Sequence, residues 1–155
     1  MSTDTAAAGV APMTVRQHWA GLAQGMQQDL QAYGQLRDLL HTQFHAALRH
    51  DAPAMEQVAL QITAQVQELD RTRQERSVHA RALLPAGTPL SMASVFALVQ
   101  APLRSQLESL WAQLEVQVQT CQQLNQRNCQ LIMEQAEVMR TVIAGSAQPD
   151  IYAPI

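Results

Sequence analysis

The chain has 155 residues, a formal net charge of −3 and charged residues at only 15% of its positions. This length predicts one domain whose core folds without disulfides or a metal. Nucleic acid is disfavoured as a partner, because phosphate binding needs a concentration of basic residues and the chain has ten arginines, no lysine and thirteen acidic residues. No apolar run reaches 18 residues, so we expect no membrane insertion.

The composition favours helix strongly, since 24 Ala, 23 Gln and 18 Leu make up much of the chain. Residues that favour strands are scarce, with aromatics at 4% and only 16 Val and Ile together. A sandwich, a barrel or a parallel sheet would lack its usual core residues. The composition therefore predicts an all-α protein.

The first helix is predicted from residue 14 to residue 48. Residues 1–13 have no period and contain Gly and Pro, so we expect a flexible arm without the features of a signal peptide, and a cytoplasmic protein. Thr14 is a candidate N-cap, and apolar residues from Trp19 to Leu48 recur at steps of three and four, which predicts a helix about 54 Å long. Three glycines lie inside it, and by hypothesis they mark close approaches to a neighbour: Gly21, Gly25 and Gly34.

The second helix is predicted to begin at Asp51, a capping carboxylate that is followed by Pro53 in the first turn. Its apolar series runs from Met55 to Leu84. The arginine-rich stretch 70–81 is either an interaction face or a solvated surface. We favour the solvated surface, because acidic residues lie at salt-bridging intervals among the arginines.

A short helix follows in the segment 90–100, with Ser91 as its candidate cap. From Leu103 the longest apolar stripe begins, and it runs for about forty residues, near 60 Å, until Gly145 closes the helix. These elements predict a single domain over 14–144 and a flexible tail over 145–155. The predicted fold is an elongated antiparallel up-and-down bundle of three long helices, each above 25 residues, and a short fourth, with coiled-coil-like packing.

Catalytic features are few. His41 and His45 lie four residues apart, but no further ligand stands at metal-binding spacing, so we expect no metal and no cofactor. Cys121 and Cys129 fall in the middle of the last helix, about 12 Å apart, where a disulfide cannot form and a thiolate is disfavoured. Gly-rich phosphate motifs are missing as well. We therefore expect no enzyme activity.

One motif in the last helix stands out: Leu124, Asn125, Asn128, Leu131 and Ile132. Asn128 falls within the apolar stripe, where a buried Asn fixes register or partner at a cost in stability, or simply hydrogen-bonds within the bundle. With Ala47-Leu48, Asp51, Leu69, Arg76 and Leu83-Leu84 upstream, the sequence over about residues 15 to 144 resembles the FlgN-like family. It departs from the family pattern at Gln43 and His45, where an acidic residue is usual, and at Cys129, where a Gly is usual.

The resemblance implies a cytoplasmic chaperone of flagellar type III export, which binds the C-terminal segment of hook-filament junction proteins and escorts them to the export apparatus. We expect a monomer or weak homo-oligomer whose client lies along the last helix. Asn125, Asn128 and Ile132 are the motif residues. The candidate client-binding face consists of Leu114, Val118, Cys121, Leu124, Asn128, Leu131, Val138 and Val142.

The length of the last helix supports this expectation, because a helix longer than its neighbours leaves apolar residues for a partner helix to cover. Two alternatives remain open. One is a structural coiled-coil protein that pairs with a second copy and has no client. The other is a metal or redox protein that uses His41, His45 or the cysteines.

Overall fold

The computed structural model describes residues 11–146, which form four α-helices and no strand. The helices are α1 (Val15–Leu48), α2 (Ala52–Leu83), α3 (Met92–Phe96) and α4 (Leu103–Ser146). The all-α prediction is confirmed, and so are three helices above 25 residues, since α1, α2 and α4 have 34, 32 and 44. Most of the predicted arm, residues 1–10, and most of the predicted tail, 147–155, lie outside the described residues.

Three of the four helices begin at the predicted capping residues. Thr14 and Gln17 form a reciprocal capping box: Gln17 N–H donates to Thr14 Oγ1 at 3.2 Å, and Thr14 N–H donates to Gln17 Oε1 at 2.8 Å. Asp51 Oδ1 accepts from the backbone N–H at the start of α2, and Ser91 Oγ does the same for α3. Each cap satisfies a backbone donor that the first helical turn leaves unpaired.

The end of α4 differs from the prediction. The helix continues through Gly145 to Ser146, whereas the sequence predicted that Gly145 would close it. Among the described glycines only Gly87, in the α2–α3 connection, has a positive φ, so Gly145 does not adopt the left-handed conformation by which glycine ends a helix. An exposed glycine inside a helix costs about 1 kcal/mol, which is too little to stop a long helix.

Helix α1 packs along both α2 and α4, while α2 and α4 make few contacts with each other. Side-chain contacts between α1 and α2 join His18 to His79 and Ala32 to Gln65, so the partner's number falls as the α1 number rises. Contacts between α1 and α4 run the other way: Leu40 meets Asn128 and Ala47 meets Gln135, both 88 residues apart. The two neighbours of α1 are therefore separated by a cleft whose floor is α1.

Helix α3 covers the end of the bundle where α1 begins. Val95 is fully buried against Leu22 and Ala80, and Phe96 packs on Met26 and Leu107. These contacts join α3 to all three long helices through apolar side chains. The predicted short fourth helix thus forms and closes one end of the core.

A buried polar cluster lies between α1 and α2, where the sequence predicted only a solvated surface. Asp29 is buried, and its carboxylate accepts hydrogen bonds from Thr72 Oγ1 and Arg76 Nη1, both at 2.6 Å. The Arg76 guanidinium also lies over the Trp111 ring, 5.3 Å from its centroid, so this side chain links α2 to α1 and α4.

Arg71 and Arg73 form exposed ion pairs within α2, as the prediction of a solvated surface over 70–81 requires. That interpretation was wrong for Arg76, because a buried carboxylate 47 residues earlier turns it inward.

The three glycines of α1 differ in their surroundings. A Cβ added at Gly21 would lie 2.6 Å from Nε2 of the His79 ring, so this glycine permits the close approach of α2. Nothing lies within 4 Å of a Cβ added at Gly25 or Gly34. The hypothesis of close approach is confirmed for Gly21 and wrong for the other two.

Candidate functional site

The apolar face of α4 that packs on α1 follows a strict seven-residue repeat. Leu107, Leu114, Cys121 and Asn128 occupy successive positions of this repeat, and their exposed fractions are 2%, 3%, 5% and 1%. Side chains seven residues apart lie on nearly the same side of a helix, so this series forms one continuous buried line. These residues belong to the core of the bundle.

The same line continues beyond the end of α1. Gln135 is half-buried and donates from Nε2 to the carbonyl oxygen of Ala47 at 2.8 Å, one residue before α1 ends. The next position of the repeat is Val142, which is 60% exposed. Residues 136–145 are all exposed, and we call 136–146 the projecting segment of α4. At the rise of a helix, its eleven residues extend about 16 Å.

The projecting segment keeps the apolar character of the face while losing its cover. Val138, Met139 and Val142 are 59% to 62% exposed, and they lie three, four and seven residues after Gln135. This spacing places them on the side of α4 that faces α1 further back along the helix. An amphipathic partner helix that continues the line of α1 would cover them.

The structure divides the eight predicted client-binding residues into three groups. Leu114, Cys121 and Asn128 are buried between α4 and α1, and Leu114 and Cys121 also border the cleft between α2 and α4. Val138 and Val142 are exposed on the projecting segment. The half-buried members lie along the sides of the packed face: Val118, Leu124 and Leu131. Of the motif residues, Asn125 is exposed and Ile132 half-buried.

The cleft between α2 and α4 is the second concave feature. Its larger part has a volume of about 500 Å³ and is lined by residues of all three long helices: Tyr33, Arg76, Trp111, Leu114, Glu115, Val118 and Gln119. Burial and the neighbouring Asp29 carboxylate raise the pKa of Tyr33, whereas Arg76 lowers it. A smaller part of about 250 Å³ continues the cleft past Val118 to Cys121 and Asn125. Apolar walls dominate both parts, which suits a helical segment better than a small polar ligand.

Polar contacts fix α4 against α1 just before the projecting segment. Asn128 Nδ2 donates to the Leu40 carbonyl oxygen at 2.7 Å and to Gln43 Oε1 at 2.9 Å. Arg127 donates to Asn128 Oδ1, and its guanidinium lies 3.7 Å from the centroid of the Phe44 ring. Asn128 is thus a buried amide with partners for both its oxygen and its nitrogen.

The histidines and cysteines that the sequence singled out do not form a metal-binding group within residues 11–146. His41 and His45 are exposed, and no group of three His, Cys, Asp or Glu within 11–146 is placed to hold a metal ion. Burial raises the pKa of the Cys121 thiol, which keeps it protonated and unreactive at neutral pH. The geometry instead presents apolar surface on a helical frame.

Sequence reasoning missed Met139 and the partners of Asn128. Met139 lies four residues after Gln135, and this spacing was available as a signal in the sequence. Gln43 stood out only as a departure from the family pattern, and only the packing of α1 on α4 brings it to Asn128.

An all-helical frame that exposes apolar side chains at the end of α4 is typical of a helical protein that binds other proteins. The chain belongs to the FlgN family: the family model described as FlgN protein matches residues 13–145, nearly the whole described range. No curated protein and no solved structure gives a significant match.

Membership confirms the resemblance noted in the sequence and gives the chain its general role. FlgN proteins are flagellar export chaperones that bind flagellar proteins, and the family is not an enzymatic one. Within the described residues, no helix combines the length and the hydropathy needed to cross a membrane.

Proposed function

We propose that this protein is a cytoplasmic chaperone of type III export that binds the C-terminal segment of hook-filament junction proteins through the projecting segment of α4. One observation carries the proposal: the buried line through Leu114, Cys121 and Asn128 continues to Val142, which is exposed only because α1 ends at Leu48. Covering Val138 and Val142 favours binding by about 1.5–3 kcal/mol for each fully buried side chain. Membership of the FlgN family supports a flagellar client, and the exposed apolar residues of α4 support this surface.

The client segment would bind as an amphipathic helix that extends the line of α1. Anchors at steps of three and four would meet Val138, Met139 and Val142, which have the same spacing. A segment that orders on binding loses conformational entropy, so its affinity stays moderate and release at the export apparatus remains possible. The cleft beside Val118 offers further apolar surface to a client longer than the projecting segment.

The test measures affinity for the purified C-terminal segment of a hook-filament junction protein by calorimetry. Val138→Asp/Val142→Asp should weaken binding by about 3 kcal/mol or more, a hundredfold or greater loss, with helicity and Tm unchanged. Arg140→Ala/Ala144→Asp is the matched control, since it makes the same change of two charge units on the opposite face of the same exposed segment. Equal affinity of both double variants and the wild type would place the client site elsewhere.

Self-association is the alternative function, because the exposed apolar line would also fit a second copy of the chain. Sedimentation of the free protein separates the two functions. A chaperone with an open client site should sediment as a monomer or weak oligomer and change mass only when the client segment is added. A stable dimer that Val138→Asp/Val142→Asp dissociates, and that ignores the client segment, would support the coiled-coil protein instead.

A further inference from the structure

We propose that Asn128 and Gln43 act as a register clamp, which fixes where α4 leaves the bundle and thereby sets the length of the projecting segment. The clamp positions the client site without touching the client. The inference therefore rests on the proposed function for its purpose. Its structural part, one fixed register of α4 on α1, stands without a client.

Three contacts between α4 and the α1 backbone recur at one constant offset. Cys121 Sγ lies 3.5 Å from the Tyr33 carbonyl oxygen. Asn128 Nδ2 donates to Leu40 O at 2.7 Å, and Gln135 Nε2 donates to Ala47 O at 2.8 Å. Each pair is 88 residues apart, so α4 contacts a carbonyl of α1 at every seventh residue.

Carbonyl contacts alone would not define the register. If α4 slid back by one repeat, about 10 Å, Asn128 would meet the Tyr33 carbonyl and Gln135 the Leu40 carbonyl. The same slide would bring Val142 beside Ala47 and cover part of the projecting segment. It would also move Leu107 past the start of α1 at Val15, so apolar burial is similar in the two registers and does not select one of them.

Gln43 supplies the discrimination. In the observed register Asn128 Nδ2 also donates to Gln43 Oε1 at 2.9 Å. In the shifted register the position seven residues earlier on α1 is Leu36, an apolar residue that offers no side-chain acceptor. Asn128 would lose this partner, while Gln135 would take its place beside Gln43. A buried amide without its partner is costly, so the Asn128–Gln43 pair penalises the shift.

The role predicts an unusual pair of effects. An Asn in an apolar line lowers stability relative to Leu while restricting the helices to one alignment. Asn128→Leu should therefore keep or raise the Tm and at the same time admit the shifted register. A residue whose role was only structural would lower the Tm on replacement and leave the register unchanged.

The experiment measures register in the free, full-length protein by electron paramagnetic resonance. Spin labels are introduced through a non-natural amino acid at the exposed residues 31 on α1 and 137 on α4, so that both cysteines remain native. The wild type should give a single distance. Asn128→Leu and Gln43→Leu should each add a population about 10 Å shorter, and Gln126→Leu, an exposed residue of the same helix, should not.

A second variant pair guards against simple unfolding. Gln43→Asn combined with Asn128→Gln exchanges the two amides and should restore the single distance that either Leu variant loses. The clamp would be overturned if Asn128→Leu, Gln43→Leu and the triple variant Gln43→Leu/Asn128→Leu/Gln135→Leu all showed the same single distance as the wild type. A lowered Tm without a second population would overturn it as well.

Client affinity is measured on the same variants and separates the two proposals. If half of the molecules adopt the shifted register, the apparent affinity should fall about twofold, because only the other half presents the full segment. A shifted register without loss of affinity leaves the clamp standing and contradicts the client site. Loss of binding in Val138→Asp/Val142→Asp with an unchanged register has no bearing on the clamp.

Discussion

Apolar residues are covered at one end of the bundle and exposed at the other. At the end where α1 begins, α3 inserts Val95 and Phe96, which are buried against all three long helices. At the other end, α4 carries Val138 and Val142 past the end of α1, and both stay exposed. The spacing of apolar residues is the same in both regions. Periodicity thus defines a face, whereas the presence of a neighbour decides whether that face is core or binding surface.

This comparison extends to single residues, because the chain has several residue types both at a covered and at an uncovered position. Replacing the two members of such a pair by the same residue isolates the contribution of the neighbour. The expected differences range from several kcal/mol of stability to changes in reactivity alone.

Asp29 and Asp38 of α1 should differ most. Asp29 is buried with Thr72 and Arg76, whereas Asp38 is exposed beside Arg37 at 3.5 Å. Asp29→Ala leaves the Arg76 guanidinium without its carboxylate in a largely buried position, which should cost about 3–5 kcal/mol. Asp38→Ala should change the stability by less than about 1 kcal/mol, since exposed ion pairs contribute little. Urea unfolding of both variants measures the difference, and comparable losses would contradict the buried pair.

Leu114 and Val142 compare the covered and uncovered parts of one apolar line. Leu114→Ala removes buried methyl groups and leaves a cavity, so we expect a loss of about 2–5 kcal/mol in the free energy of unfolding. Val142→Ala should change it by no more than about 0.5 kcal/mol. The order should reverse for client affinity, where Val142 matters more. A large stability loss in Val142→Ala would mean that the projecting segment is core.

Gly21 and Gly25 compare a helix face with a close neighbour and one without. Gly25→Ala should raise the stability by about 0.5–1 kcal/mol, because Ala favours helix and the added Cβ meets nothing within 4 Å. Gly21→Ala gains the same helix propensity, but its Cβ would displace the His79 ring. We expect a net loss of about 1 kcal/mol in thermal unfolding. Equal gains at both positions would show that the His79 ring moves aside at no cost.

The sequence allowed prediction of whatever depends on local spacing. Thr14, Asp51 and Ser91 cap their helices as predicted, and the stripe from Leu107 to Val142 lies on one face of α4. The sequence did not allow prediction of contacts between helices. Asp29 occupies an apolar line and pairs with Arg76, 47 residues later, and only the packing of α2 on α1 brings them together. The split of the candidate site into buried Leu114 and exposed Val142 likewise depends on the register of α4 on α1.

His79 links the covered end of the bundle to pH. Its Nδ1 lies 2.9 Å from Nδ1 of His18, a hydrogen bond that requires one of the two nitrogens to accept. Burial and the proximity of His18 lower the pKa of His79, while Glu75 raises it. Because the folded state disfavours the protonated ring, stability should be full above the ordinary pKa of about 6.5 and fall as the pH drops below it. The Tm should therefore fall more between pH 7.5 and 5.5 in the wild type than in His79→Gln, and parallel slopes would contradict this.

The two cysteines of α4 give the smallest effect, one of rate rather than stability. Cys121 is buried in the apolar line beside Tyr33, and burial raises the pKa of its thiol. Cys129, one residue after Asn128, is exposed. An alkylating reagent should modify Cys129 readily at pH 8 and Cys121 only when α4 separates from α1, because the thiolate is the reactive form and needs access. Cys129→Ser isolates Cys121, whose slow alkylation rate then measures the opening of the helix pair.

Asn128→Leu should not raise the alkylation rate of Cys121 if the substitution shifts α4 by a whole repeat, since Cys121 would move to the next buried position against α1. A fast rate in the wild type would mean that the line through Leu114, Cys121 and Asn128 is open to solvent and to a client.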